Sequence, residues 1–363
     1  MNKLSRPGRV LISIPIVLLF LSACALQDEA PATGSSTVSI MTFNVENLFD
    51  NADDPGKDDR TYFPLAAKQN DEHRAACNQI EVDRWREQCL YWDWSDELVE
   101  RKLSLIAQAI LQVNDGRGPD ILALQEVENI AILNRLRTEY LQAAGYREPV
   151  LIEGTDLRGI DVAFLTRLPV VGNATLHPMT FSAEFADRAQ DTRGILQANF
   201  KLPDGSLLTG FAVHFPAPFH PTAMREAAYK RLNQLLAALP AERPAFAAGD
   251  FNTTFTEDRD KNMLARFARP HWTVTHELGC GDDCRGTSYY SRDDTWSFLD
   301  MVLWSPARSG RPAWNIQAGS VRIANEFAEQ RRSDGTPKRF DAETASGVSD
   351  HWPVLISIAP SWM

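Results

Sequence analysis

Basic residues are in the minority: 37 Lys and Arg face 48 Asp and Glu, a formal net charge of −11. That balance excludes a diffuse basic surface for gripping nucleic acid, although an acidic protein still handles phosphates through a local basic pocket or a bound cation. Long hydrophobic runs are also missing. The one apolar run, Val10–Leu21, has 12 residues, whereas a membrane span needs ~20. Cysteine is scarce, five in 363 residues, and no pair has the tight C-x-x-C spacing of a zinc knuckle. No internal repeat is present, and no linker interrupts the chain after residue 37. With 44% hydrophobic and 23% charged residues, the chain is neither disordered nor collagen-like. It is long enough to bury a substantial core without metals or disulfides.

The short apolar run has a purpose of its own. Lys3, Arg6 and Arg9 precede it and small residues follow it, the layout of a secretory signal. Its ending, Leu21-Ser22-Ala23-Cys24, resembles a bacterial lipobox. That resemblance implies cleavage before Cys24, a lipid on its thiol and an acylated amine. Residues 1–23 are then a signal peptide and 24–37 a lipidated N-terminus with a flexible tether, polar and rich in Pro, Gly, Ser and Thr. The expectation is an exported lipoprotein held to a membrane by its lipid. Ala25 in place of Asp favours the outer membrane. The remaining cysteines, Cys77, Cys89, Cys280 and Cys284, are even in number and fall into two local pairs. In an oxidising compartment the simplest pairing is Cys77–Cys89 and Cys280–Cys284. A zinc site built from all four is the rival.

From 38 to 358 strand-like and helix-like segments alternate. Val38–Val45 is apolar at alternate positions and reads as a strand. Residues 50–95 read as an irregular insertion. Its aspartates (50, 53, 54, 58, 59) suggest a solvated loop, because their spacing is not that of an EF-hand. Trp85, Trp92 and Trp94 read as its packing. After Ser95, a candidate N-cap, Val99, Leu103, Ile106 and Ile110 recur at helical spacing until Asn114-Asp115-Gly116. Further strands are expected over 120–124, 160–166, 195–200, 207–214, 245–249, 297–304 and 353–358, with helices over 128–144 and 222–239. The pattern is that of one α/β domain.

Polar residues end or interrupt these apolar strands: Asn44, Glu126, His214, Asp250 with Asn252, Asp300, and Asp350-His351. A buried polar group is costly unless paired, so intrusions at so many strand ends point to one convergent site. Asp250 and Asn252 lie two apart and face the same side of an extended chain.

In order along the chain stand Thr42-Phe-Asn-Val-Glu-Asn47, Leu124-Gln-Glu-Val127, Gly159-Ile-Asp-Val-Ala163, Val213-His-Phe-Pro216, Gly249-Asp-Phe-Asn252, Phe298-Leu-Asp-Met301 and Ser349-Asp-His-Trp-Pro353. This set resembles the endonuclease/exonuclease/phosphatase superfamily, which includes deoxyribonuclease I, abasic-site endonucleases, sphingomyelinases and inositol-polyphosphate phosphatases. The resemblance implies a four-layer α/β/β/α sandwich of two packed sheets flanked by helices. It further implies that Glu126 is the principal ligand of a divalent cation, helped by Asn44 and by one oxygen of Asp350. His351 would be the general base, with Asp300 orienting its imidazole. Asp250 and Asn252 would hold the attacking water and a phosphate oxygen, or a metal. His214 and Arg193 would contact the phosphate. Phe211 stands where abasic-site endonucleases have a Tyr, which leans toward the deoxyribonuclease-I-like side. Asp161 is open between orienting a ligand and holding structure.

These residue types suit the chemistry. Phosphodiester hydrolysis needs an in-line nucleophile and charge neutralisation on the phosphate. Mg²⁺, with Mn²⁺ or Ca²⁺ as alternatives, takes carboxylate and amide oxygens, and a His–Asp pair supplies a base near neutral pH. The expected function is a metal-dependent phosphodiesterase, foremost an extracytoplasmic nuclease with nucleic acid as substrate. A phospholipid or small phosphoester is the alternative substrate. An inactive lipid-anchored binding protein is the other class. No protein partner is legible, and a monomer is expected.

Overall fold

The computed structural model describes residues 1, 37–281, 284–310 and 313–361. The expected signal, Cys24 and most of the tether fall on residues 2–36, outside the described residues. Among the described residues no helix is long and apolar enough to cross a membrane.

In chain order the strands are β1 (Val38–Leu48), β2 (Ile121–Val127), β3 (Val150–Leu151), β4 (Asp161–Thr166), β5 (Thr175–His177), β6 (Ile195–Lys201), β7 (Leu207–His214) and β8 (Ala245–Asp250). There follow β9 (Thr273–Val274), β10 (Ser288–Tyr290), β11 (Thr295–Ser297), β12 (Asp300–Ser305), β13 (Trp314–Ile316), β14 (Arg322–Ile323) and β15 (Val354–Pro360). The helices are α1 (Asp71–Cys77), α2 (Asp83–Tyr91), α3 (Asp96–Leu111), α4 (Ile130–Arg135), α5 (Thr222–Ala238) and α6 (Phe255–Lys261). One sheet runs β13-β15-β1-β2-β4-β3 with β14 also on β15, and a second runs β5-β6-β7-β8-β12-β9.

Period-two alternation assigns each strand face to a layer. Val38 and Ile40 of β1, Ile121 and Ala123 of β2, and Val162 and Phe164 of β4 pack against Phe200, Ala212, Phe246, Ala248 and Val302 of the other sheet. The intervening residues Met41, Phe43, Leu122 and Leu124 face Val99, Leu103, Ile106 and Ile110 of α3 and Leu133 of α4. Phe211, Val213, Ala247 and Leu303 face Ala228, Leu232 and Leu235 of α5. The result is the α/β/β/α sandwich.

Helix ends obey local chemistry. Ser95 caps α3 by accepting the Leu98 amide, and the chain turns away through positive φ at Asn114, Asp115 and Gly116. Residues 50–95 are less irregular than expected. They contain α1 and α2, joined by the Cys77–Cys89 disulfide with Cα atoms 5.7 Å apart. Trp94 is buried, its indole donating to the Phe49 carbonyl, while Trp85 is exposed. Cys280 and Cys284 form the second disulfide. The single strand expected over 297–304 is two. β11 belongs to a hairpin with β10, and β12 starts only at Asp300, in register with β8.

Candidate active site

Register delivers the polar residues to one place. His214, the last residue of β7, is the partner of Asp250 on parallel β8, and Asp250 is the partner of Asp300 on antiparallel β12. The close approach of β7 and β8 depends on Gly249, where an added Cβ would meet the Val213 carbonyl oxygen at 1.9 Å. After Asp250 the chain turns, its Oδ1 accepting the Asn252 amide at 2.8 Å. Asn252 Nδ2 then donates to the Phe215 carbonyl at 3.0 Å.

The other sheet contributes Asn44 and Glu126. The β1–β2 ladder is regular to Asn44 opposite Gln125 and then shifts register. Glu126 has φ of +64°, the kink of a bulge that re-aims its side chain. Asn44 Nδ2 donates to Glu126 Oε1 at 3.1 Å and to Asp250 Oδ2 at 3.2 Å, so one amide links the two sheets. The Asn47 amide donates to Glu126 Oε2 at 2.9 Å. His214 Nε2 lies 3.6 Å from Asp250 Oδ2 and 3.8 Å from Glu126 Oε1.

His351 closes the site. Its Nδ1 is 2.6 Å from Asp300 Oδ2, and its Nε2 is 3.9 Å from Asp350 Oδ1. Ser349 fixes this segment, donating its hydroxyl to the Asn44 carbonyl at 2.7 Å and accepting the His351 amide at 3.1 Å. Burial opposes the imidazolium, but Asp300, Asp350 and Asp250 together hold the His351 pKa well above the usual histidine value. His214 is held well below it, by burial and by Arg193 and Arg158, so it stands neutral.

Arg193 is buried and turned to Asp156, Nη1 to Oδ2 at 2.9 Å. It joins the site at one remove, through the Phe215 carbonyl that Nη2 approaches at 3.5 Å and Asn252 also uses. Asp161 accepts the Gly154 amide at 2.8 Å and thereby anchors the loop that carries Asp156. This is the structural one of its two expected roles. Phe211 faces α5 and stacks edge-on with Trp272, away from the polar cluster.

Besides Asp156, three charged residues at the site were not expected from the sequence. Glu46 Oε1 accepts from Arg339 Nε at 2.6 Å, and its Oε2 accepts the amides of Phe340 and Asp350, each at 3.0 Å. It thus staples the 339–350 segment to β1. Arg339 Nη2 lies 3.5 Å from Asp350 Oδ2. Lys102 of α3 is buried with no hydrogen-bond partner for its ammonium, 4.4 Å from the Phe340 ring centre. Burial lowers its pKa to about 8, against the pull of Glu46, Glu126 and Asp350. Glu46 had a signal, a carboxylate two residues after Asn44 in a buried strand. Lys102 and Arg339 had none.

Glu126 and Asp350 offer carboxylate oxygens, which suit a hard divalent cation. Asn44 turns its Nδ2 to Glu126 and Asp250, while its Oδ1 accepts the Glu46 amide at 3.0 Å, so it would ligate only after its amide turns. Burial and neighbouring carboxylates push both Glu46 and Asp250 up to about 7, and Asp300 Oδ1 is buried without a partner. Such crowding of acids is relieved by positive charge. Asp250, Asp300 and His351 also bring donor atoms within 4.8 Å of one another. The Asp300–His351 pair is already engaged in its mutual hydrogen bond.

The family model described as "Endonuclease/Exonuclease/phosphatase family" matches residues 41–351. The chain belongs to the endonuclease/exonuclease/phosphatase family. Members of this family are generally hydrolases acting on phosphoesters and typically use divalent metal ions, often Mg²⁺. No curated protein matches the chain in sequence. Solved structures show the family fold. A humanized D. rerio TDP2 superposes with a TM-score of 0.55 at 16% identity, over 89% of this chain and 99% of that one. A family member from Bacteroides thetaiotaomicron gives 0.53 at 15%, over 89% and 97%. D. rerio TDP2 complexed with single strand DNA product gives 0.50 at 14%, over 89% and 99%.

Proposed function

We propose that the protein is a divalent-metal-dependent phosphodiesterase that uses His351 to activate water, acting on nucleic acid outside the cytoplasm. The observation that carries this reading is the 2.6 Å contact between Asp300 Oδ2 and His351 Nδ1. It fixes the tautomer and leaves Nε2 to take a proton from water. As the water oxygen bonds to phosphorus, the proton passes to Nε2, Asp300 stabilises the imidazolium and the ester oxygen departs. General-base assistance of this kind is worth roughly 10²–10⁴-fold in rate. A divalent cation held by Glu126, Asn44 and Asp350 would neutralise charge on the phosphate. The buried His214 and Asn252 hold the phosphate oxygens, and Arg193 supplies positive charge behind them.

Without a cation, the neighbouring carboxylates hold His351 protonated; a cation among them would weaken their hold on the imidazolium and free Nε2 to act as base. The DNA-bound TDP2 neighbour supports nucleic acid as substrate. The net charge of −11 favours the second reading, a phospholipid or small phosphoester, because DNA affinity comes largely from Lys and Arg. Two disulfides suit an oxidising compartment and thus export. An activity panel with Mg²⁺, Mn²⁺ or Ca²⁺ separates the substrates: duplex DNA, single strands, RNA, sphingomyelin and inositol phosphates. Cleavage of nucleic acid supports the first reading. Cleavage of a lipid or inositol phosphate alone replaces it with the second.

A further inference from the structure

The acidic segment after β1 is not the solvated loop its composition suggests. Asp59 is 1% exposed and Glu128 2%. Each spends one carboxylate oxygen on the same turn: Asp59 Oδ2 accepts the Asp54 amide at 2.8 Å, and Glu128 Oε2 accepts the Asp50 amide at 2.7 Å. The other oxygens, Asp59 Oδ1 and Glu128 Oε1, are buried with no hydrogen-bond partner. Asn129 Nδ2 donates to Asp50 Oδ2 at 3.2 Å and to Asp54 Oδ2 at 3.1 Å, gathering those carboxylates beside Glu128. Two orphaned, almost fully buried carboxylate oxygens beside further carboxylates are costly unless the groups are protonated or a positive charge pairs with them.

We propose that Asp50, Asp54, Asp59 and Glu128 form a second divalent-cation site, suited to Ca²⁺ and distinct from the hydrolytic cluster. The donors are all oxygen. Among the described residues no three of these carboxylates lie within 4.8 Å of one another, as Asp250, Asp300 and His351 do. The ion must therefore draw the turn inward, and loop carbonyls and water complete its shell. Ca²⁺ tolerates such irregular coordination by six to eight oxygens, whereas Mg²⁺ demands a near-ideal octahedron. The site lies two residues beyond the ends of catalytic segments: Asp50 follows Leu48 of β1, and Glu128 follows Glu126. Bound Ca²⁺ would clamp the start of the 50–95 insertion to the strand ends that carry Asn44 and Glu126. None of this depends on the protein's substrate or on its hydrolysing anything.

Calorimetric titration of the chelator-stripped full chain with CaCl₂ in excess Mg²⁺ tests the assignment, with Glu126→Ala removing the main donor of the hydrolytic cluster. Glu126→Ala should still bind one Ca²⁺, and its Tm should rise on Ca²⁺ addition. In that background Asp59→Asn and Asp54→Asn should each weaken binding at least ~10-fold and lose the Tm response. Asp54 is half-buried, so its variant carries the test if Asp59→Asn does not fold. Absence of Ca²⁺ binding by Glu126→Ala, as protonated carboxyls would give, overturns the proposal. So does unchanged affinity in the aspartate variants.

Discussion

Asp156→Ala should strand Arg193. Both side chains are almost fully buried, 4% and 7% exposed, and the 2.9 Å contact between them is the shortest that the guanidinium makes. Without it Arg193 keeps the Phe215 carbonyl at 3.5 Å, and its Nε has no partner in any case. Removing one partner of a buried ion pair leaves an uncompensated charge and costs about 3–5 kcal/mol. Asp156 Oδ1 also accepts the Arg158 amide at 2.9 Å, so the loop loosens too. Urea unfolding followed by tryptophan fluorescence reads the loss. The double variant Asp156→Leu with Arg193→Met, which removes both charges, should recover most of the stability but not the activity. If Asp156→Ala loses less than ~1 kcal/mol, the ion pair is not what holds Arg193 behind His214 and Asn252, and that part of the account fails.

Asp161 makes a pH-dependent prediction. Burial raises its pKa from 3.8 to about 7, so the folded state holds a proton that the unfolded chain has already lost. Its contribution to stability is full below about pH 3.8 and is lost as pH rises through about 7. Asp161→Asn keeps an acceptor for the Gly154 amide and does not titrate. Its stability relative to wild type should therefore improve by about 3 kcal/mol between pH 5 and pH 8, at 1.36 kcal/mol per pH unit of difference. A gap that stays constant over that range would refute the raised pKa. For export, Cys24→Ser should abolish labelling by radioactive fatty acid and release the protein from membranes. Absence of label in the wild type would rule out the lipoprotein reading. Chelation should remove activity and Mg²⁺ or Mn²⁺ restore it, whereas full activity in excess chelator would exclude Glu126 and Asn44 as ligands of an essential ion.

Long periodic elements were legible because each buries one face. β1, β2, β4, β6, β7, β8, α3 and α5 lie where alternation or helical spacing put them, and Ser95 caps α3 as its position suggested. α1 and α2 were not legible. They are seven and nine residues long, and a disulfide ties them together where an apolar stripe would otherwise be needed. Strands of two or three residues, such as β3, β9 and β14, are too short to show a period. Within the site, the strand-end pattern foretold His214, Asp250 and Asp300, because register alone aligns them. The amide of Asn44 reaching Asp250, 206 residues away, depends on how two sheets pack, and no local pattern encodes that. Asp156 was missed for the same reason: nothing near it in sequence shows that Arg193 is its partner.

The central claim is that His351, oriented by Asp300, removes a proton from the attacking water. It is tested most directly by steady-state turnover of His351→Ala on the best substrate of the panel. Circular dichroism must show a native fold and calorimetry must show retained metal binding. The account predicts a fall in turnover of roughly 10²–10⁴-fold. A folded, metal-binding His351→Ala protein that turns over at the wild-type rate would contradict it.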